Sequence, residues 1–141
     1  DHGHALIMAD LDRFKTTNDR YGHVAGDRVI VESVAGVVSA VRDDDLVGRV
    51  GGDEFMVCLR GISSHLMVEA VAQRMCAAVR EAAEASDDDH GPVSISLGIA
   101  LYPQDGVTYE ELYRKADKAL YCAKRAGGGT YAFYRDEPAA S

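Results

Sequence analysis

The sequence predicts an α/β (α+β) fold, a mixed central β-sheet with helices packed on it, in the order β-α-α-β-β-α-β-α-β. Three observations predict it. Short apolar runs of strand character alternate with stretches of helical period, which an all-helical or all-strand domain does not produce. The 141 residues suit one domain with a real core. A composition of 47% hydrophobic and 27% charged residues is that of a soluble globular chain.

Ala5 to Ala9 is a continuous apolar run, read as a buried strand that ends at Asp10-Leu11-Asp12. A short helix from Phe14 to Asp19 follows, closed by Tyr21-Gly22. Asp27 opens a longer helix to about Val41, with Ile30, Val34, Val37, Val38 and Val41 at helical spacing. Its valines favour strand locally, so period and length decide for helix. Leu46 to Val50 and Glu54 to Leu59 form a hairpin around Gly51-Gly52, since glycine takes positive φ at both turn positions without strain. A helix from about Ser64 to Ala85 buries Val68, Val71, Met75, Val79 and Ala82, and ends in the loop Ser86 to Pro92. Val93 to Leu101 is a strand with Ile95, Leu97 and Ile99 on one face. The last helix, about Thr108 to Ala126, carries Leu112, Ala116, Ala119, Leu120 and Ala123; Gly127-Gly128-Gly129 stops it and Tyr131 to Tyr134 is a final strand.

The net charge of −8 argues against a nucleic-acid surface, although a local lysine or a divalent metal can still serve a phosphate ligand. Cys58, Cys76 and Cys122 have neither disulfide nor zinc spacing and read as buried free thiols of a reducing, cytoplasmic setting. No apolar stretch approaches the roughly 20 residues that span a bilayer, and no signal peptide begins the sequence. Membrane anchoring of a parent protein is compatible with this. His2-Gly3-His4 reads as a solvated strand start rather than a metal site.

Two acidic clusters carry the chemistry. Asp10 and Asp12 are two apart on an extended segment, so they share a face while Leu11 points inward and its carbonyl stays near the acids. Asp53 and Glu54 sit on the rim of the glycine turn. If the two strands are neighbours, all four acids converge. Hard, partly anionic oxygen ligands suit Mg2+ or Mn2+ that also hold substrate phosphates; the plainer readings are a solvated turn and an ion-paired or capping Asp. Lys15 can reach back toward phosphate oxygens. Between Asn18 and Asp27 lie amide, imidazole and carboxylate groups, and Asn18 with Asp27 suits a guanine edge, although both residue types also cap helices.

Asp10-Leu11-Asp12-Arg13-Phe14-Lys15, Asn18-Asp19, Gly22-His23, Gly26-Asp27, Gly51-Gly52-Asp53-Glu54-Phe55, Ser96-Leu97-Gly98, and Ala116-Asp117-Lys118-Ala119-Leu120-Tyr121 with Ala123-Lys124 resemble the signatures of the GGDEF family of diguanylate cyclases, in order and over nearly the whole chain. The resemblance implies a fold similar to adenylyl cyclase catalytic domains and polymerase palms, filling residues 1–135, with 136–141 a tail or linker start. It implies condensation of two GTP into cyclic di-GMP with release of pyrophosphate, each 3′-hydroxyl attacking the α-phosphate held by a second copy of the domain. By position, Asp10, the Leu11 main-chain oxygen, Asp53 and Glu54 would bind two Mg2+ or Mn2+ ions. Asp53 would accept the proton, and Lys15 would stabilise the pentavalent phosphorane. Asn18, His23 and Asp27 would hold GTP, Gly51 and Gly52 would give it room, and Lys124 would contact the triphosphate.

Arg42-x-x-Asp45, with five residues between Asp45 and Gly51, matches the placement of the family's inhibitory site for cyclic di-GMP, with Arg74 as the second arginine. Departures from the family pattern are the absent N-terminal Leu-Thr-Gly-Leu-type segment, Gly128 where an arginine is usual, and Thr17 in place of an apolar residue. A fused sensory or phosphodiesterase domain fits the resemblance. Two alternatives stand beside an active cyclase: a catalytically weak or inactive module that senses GTP or cyclic di-GMP, and a purely structural interaction domain.

Overall fold

The computed structural model describes residues 3–87 and 90–134. The expectations for His2, for Asp88-Asp89 and for the tail at 136–141 lie outside the described residues. Nine elements follow one another as predicted: β1 (Gly3–Leu11), α1 (Phe14–Tyr21), α2 (His23–Ala40), β2 (Leu46–Gly51), β3 (Glu54–Ile62), α3 (His65–Ala85), β4 (Ile95–Tyr102), α4 (Tyr109–Arg125) and β5 (Tyr131–Phe133).

The five strands make one sheet in the order β2-β3-β1-β4-β5. β1 is central and antiparallel to both β3 and β4, and only β4 and β5 run parallel. Period-two alternation along β1 separates two cores. Ala5, Ile7, Ala9 and Leu11 pack with Val29 and Val37 of α2 and with Val68 and Met75 of α3. Met8 packs on the opposite face with Ala100 and with Ala116 and Leu120 of α4. Burying a side chain of this size is worth about 1.5–3 kcal/mol each, so the strand carrying the first acidic cluster is held from both sides. Being covered on both faces, β4 is buried at every position from Ile95 to Leu101, where alternation had assigned only one apolar face.

Several sequence expectations are corrected. α2 starts at His23, not Asp27, because Gly22 at φ 91° breaks the chain sharply between α1 and α2. Its buried stripe is Gly26, Val29, Ile30, Ser33, Gly36, Val37 and Ala40, whereas Val38 is 51% exposed. Ile30 and Val37 of the expected stripe are in it, and Gly36 adds a close approach to α3: a Cβ there would lie 3.1 Å from the Ala78 carbonyl oxygen. The hairpin turn is Gly52-Asp53, and Gly51 is the last residue of β2, paired with Glu54. Only Gly52 takes positive φ, at 51°, which fits a turn needing glycine at its first central position alone.

The cysteines are half-buried rather than buried, and none forms a disulfide. Burial pushes the Cys76 thiol up to about 11, so it stays protonated and unreactive. His4 is half-buried, its ring 5.4 Å from that of Tyr102, so it is not the solvated residue expected of a strand start.

Candidate active site

Pairing of β1 with β3 places Asp10 opposite Glu54, so the two acidic clusters meet at one end of the sheet. The Leu11 amide donates to the Asp53 carbonyl at 3.2 Å, which fixes the turn against the end of β1. Arg49 clamps the same turn, its Nε and Nη2 donating to the Gly52 carbonyl at 2.9 and 2.7 Å. Nothing in the sequence pattern singled out Arg49. A Cβ built on Gly51 or Gly52 meets nothing within 4 Å, so the turn faces open space.

Asp10 is the strained member of the group. Burial, and then the neighbouring Asp53 carboxyl, push its pKa up to about 6 against the opposing pull of Lys124. Its Oδ1 is buried without a hydrogen-bond partner; the Asp53 carboxyl beside it is an acceptor too, unless the pair holds a proton. Lys124 of α4 is the cation at this point. Its Nζ lies 3.1 Å from Asp10 Oδ2, 3.2 Å from Asp12 Oδ1 and 3.1 Å from the Leu11 carbonyl oxygen. Three oxygens are therefore already gathered around a positive charge.

Asp12 has a different character. Burial opposes its ionisation, but hydrogen bonds from Ser94 and Ser96 Oγ, both 2.6 Å, from the Gly129 amide at 2.8 Å and from Lys124 outweigh it and hold the carboxyl below the usual range. Asp12 thus ties the end of β1 to β4 and to the loop after α4. The signal for Ser94 and Ser96 was their period-two spacing around the inward-facing Ile95. Gly128 belongs to the same knot: at φ 77°, a Cβ there would lie 2.9 Å from the Asp12 carboxyl carbon.

The donor set fits a divalent cation. Two adjacent carboxylates, one with an orphaned oxygen, and a main-chain carbonyl leave the rest of a coordination sphere to water and phosphate, which is how Mg2+ is commonly held. Among the described residues no three acidic, imidazole or thiol groups are already gathered into a metal cage, so such a site would be completed by substrate. Arg13, at φ 55° and ψ 35°, is left-handed and precedes the uncapped first turn of α1. A left-handed residue followed by right-handed ones turns successive N–H groups into an anion-binding concavity.

Of the remaining expected residues, Lys15 is exposed on the first turn of α1, and His23 is exposed at the start of α2. Asn18 Oδ1 fills the space where a Gly26 side chain would stand, 1.8 Å from a built Cβ, so Gly26 exists to admit it. Asp27, the next residue, is exposed beside Val24 and Val31. The joint between α1 and α2 thus gathers Asn18 and Asp27, while Glu54 lies toward Tyr113 of α4, whose phenol is pushed up by burial first and by that charge second.

Arg42 and Asp45 pair elsewhere, just after α2, and Arg74 bonds the end of that helix. The Asp45 side chain is fully inaccessible and accepts from the Arg42 amide at 2.9 Å, from Arg42 Nη2 at 3.2 Å and from the Arg60 amide at 3.1 Å. Burial opposes its charge, but these donors hold its carboxyl below the usual range. Arg74 Nη2 donates to the Ala40 carbonyl at 3.2 Å, at the last residue of α2 and two positions before Arg42 in the chain.

Residues 1–130 match the family described as diguanylate cyclase, GGDEF domain. Diguanylate cyclase TpbB of Pseudomonas aeruginosa is 40% identical over 126 residues, which are 89% of this chain and 29% of that protein. The chain therefore spans under a third of that relative's length. The crystal structure of the TpbB GGDEF domain superposes with a TM-score of 0.86 at 38% identity, covering 94% of this chain and 82% of that one. The GGDEF domain of DgcB from Caulobacter crescentus, solved in complex with c-di-GMP, gives a TM-score of 0.84 at 25% identity, covering 95% of this chain and 79% of that one.

Proposed function

The chain belongs to the GGDEF diguanylate cyclase family, and from that premise we propose that it condenses two GTP into cyclic di-GMP and pyrophosphate. The observation that carries this reading is the meeting of Asp10, Asp53 and the Leu11 carbonyl at one end of the sheet, with an orphaned Asp10 oxygen among them. Asp10, Leu11 O, Asp53 and Glu54 would hold Mg2+ or Mn2+, two per site. Bound there, the cations would draw off phosphate charge and acidify the attacking hydroxyl.

The chain's own groups do the rest. The concave amides after Arg13 receive phosphate oxygens, Lys15 adds charge at the reacting phosphorus, and Asn18 and Asp27 orient guanine, with His23 nearby. Asp53 takes the 3′-hydroxyl proton as that oxygen attacks the α-phosphate and pyrophosphate departs. Lys124, held by Asp10, Asp12 and the Leu11 carbonyl, would serve the triphosphate once those carboxylates had another cation, because one ammonium satisfies only one of the two demands. The reaction uses one GTP from each of two facing domains. Product binds back at Arg42 and Arg74, where Arg42 keeps 45% of its side chain exposed while Asp45 orients it. A fused sensory or phosphodiesterase domain is the partner this reading expects.

The test is incubation with GTP and Mg2+ or Mn2+ followed by chromatography for cyclic di-GMP. Product is expected, and Asp53→Ala lowers turnover by at least about a hundredfold. Nucleotide binding without product at high protein concentration overturns catalysis in favour of a sensing module.

A further inference from the structure

A cleft of about 660 Å³ opens between α1, the last turns of α3 and the loops at 90–94 and 127–128. That volume lies in the range of small-molecule sites. Asp12 and Gly128 border it, so it adjoins the phosphate end of the proposed active site, yet neither Asp10 nor Asp53 lines it. Its charge is unlike that of the whole molecule. Arg13, Arg20 and Arg80 all line it, in a chain of net charge −8. Among the described residues none of the three is in an ion pair; Arg20 lies 5.6 Å from the Tyr21 ring centroid.

Among the described residues two carboxylates share the lining, and one of them is spent. Asp12 is saturated by Ser94, Ser96, Gly129 and Lys124, which leaves Glu84 alone against three guanidiniums. His90 contributes no free donor, since its ring nitrogens engage the Gly91 carbonyl at 2.9 Å and Glu32 Oε1 at 3.2 Å. Thr16 and Thr17 add hydroxyls at the wall. Planar guanidinium forks match phosphate oxygens two at a time, and they favour phosphate over less charged ligands.

We propose that this cleft binds a phosphate chain, either the pyrophosphate released by the reaction or the phosphates of a separate nucleotide. The first source rests on the cyclase reading and the second does not. The measurement is calorimetric titration of the 141-residue protein with inorganic pyrophosphate in excess EDTA, so that no divalent cation contributes. Arg20 and Arg80 are exposed, so their replacement leaves the core intact. The wild type binds, Arg20→Gln/Arg80→Gln weakens binding about tenfold or more, and Arg114→Gln, an exposed arginine on α4, leaves it unchanged. Equal affinity in the double variant, or no binding by the wild type up to about 10 mM, overturns the site.

Competition identifies the source. GTP that displaces pyrophosphate from the arginine-dependent site assigns a separate nucleotide, GTP that does not assigns the leaving group, and guanosine, lacking phosphates, displaces nothing; displacement by guanosine overturns the proposal. Cyclase activity is scored apart, on GTP with Mg2+. Cyclic di-GMP without arginine-dependent pyrophosphate binding sinks this site and leaves the cyclase reading standing. Arginine-dependent binding without product does the reverse, sinking the cyclase reading and leaving the site standing.

Discussion

At the scale of single residues, two aspartates two positions apart have opposite electrostatics: burial raises both, but Asp12 has four donors that outweigh it, whereas at Asp10 a neighbouring carboxylate adds to it. Asp12 is held below the usual range and Asp10 is pushed up to about 6. The consequence for metal-free protein follows from the sign. Asp10 binds its proton more tightly folded than unfolded, so its contribution to stability is full below about pH 4 and is lost as the pH rises through about 6. Asp12 acts oppositely and at lower pH, so it does not mask this window. Chemical denaturation from pH 4 to 8 in EDTA should therefore show the wild type losing stability relative to Asp10→Asn between those limits. A difference curve that is flat there refutes the burial of Asp10 beside Asp53. The acids themselves were legible in the sequence, since Asp-x-Asp after an apolar run and Gly-Gly-Asp-Glu in a turn are local patterns. Which acid would be saturated was not, because the donors to Asp12 come from residues 94, 96 and 129. Those contacts exist only once β4 and the loop after α4 are in place.

At the scale of elements, α4 shows how closely local signals and packing agree. Thr108 caps it and Glu111 reaches back, a capping box with both hydrogen bonds made. Thr108→Ala should cost about 1 kcal/mol, read as a melting point lowered by about 3–4 °C. The helix also lies on β4 at a single glycine: a Cβ on Gly98 would stand 2.1 Å from the Ala116 carbonyl oxygen and 2.2 Å from the Leu120 nitrogen, both backbone atoms that cannot swing aside. Gly98→Ala should therefore destabilise by at least about 2 kcal/mol in urea titration and displace Lys124 from the carboxylates. Wild-type stability in that variant contradicts the close packing. α2 is the counter-example. Its expected stripe holds at Ile30, Val34 and Val37 and fails at the exposed Val38, but the buried face also runs through Ser33, Gly36 and Ala40, which hydropathy did not mark. Small residues carry no hydropathy signal of their own, and their meaning appears only when α3 approaches. The capping of α4 was readable because both partners lie within one turn, whereas the start of α2 depended on the geometry of Gly22.

At the scale of the whole molecule, element order was legible from the sequence because each element is short, strongly patterned and bounded by glycine or polar residues, whereas the meeting of the two acidic strands was conditional on their being neighbours. Strand order was not legible, since β1 at the centre, with β3 and β4 on either side, is a property of the long-range contacts alone. That order sets a limit on what one domain can do. It builds a single group of carboxylates at one end of the sheet, with the Gly52-Asp53 turn facing open space. On the proposed reaction, a cyclic product made from two GTP takes two attacks, each at a separately held α-phosphate, so that reading expects one domain alone not to close the ring. If the domain is monomeric at low concentration, its rate per molecule should rise in proportion to its own concentration until association saturates. Mixing provides the sharper measurement. Adding Asp53→Ala protein to a fixed amount of wild type converts productive pairs into pairs with one defective site, so cyclic di-GMP output should fall although total domain concentration rises. An unchanged or increased output on such mixing would mean that a single set of carboxylates suffices, and the facing-domain reading would have to be given up.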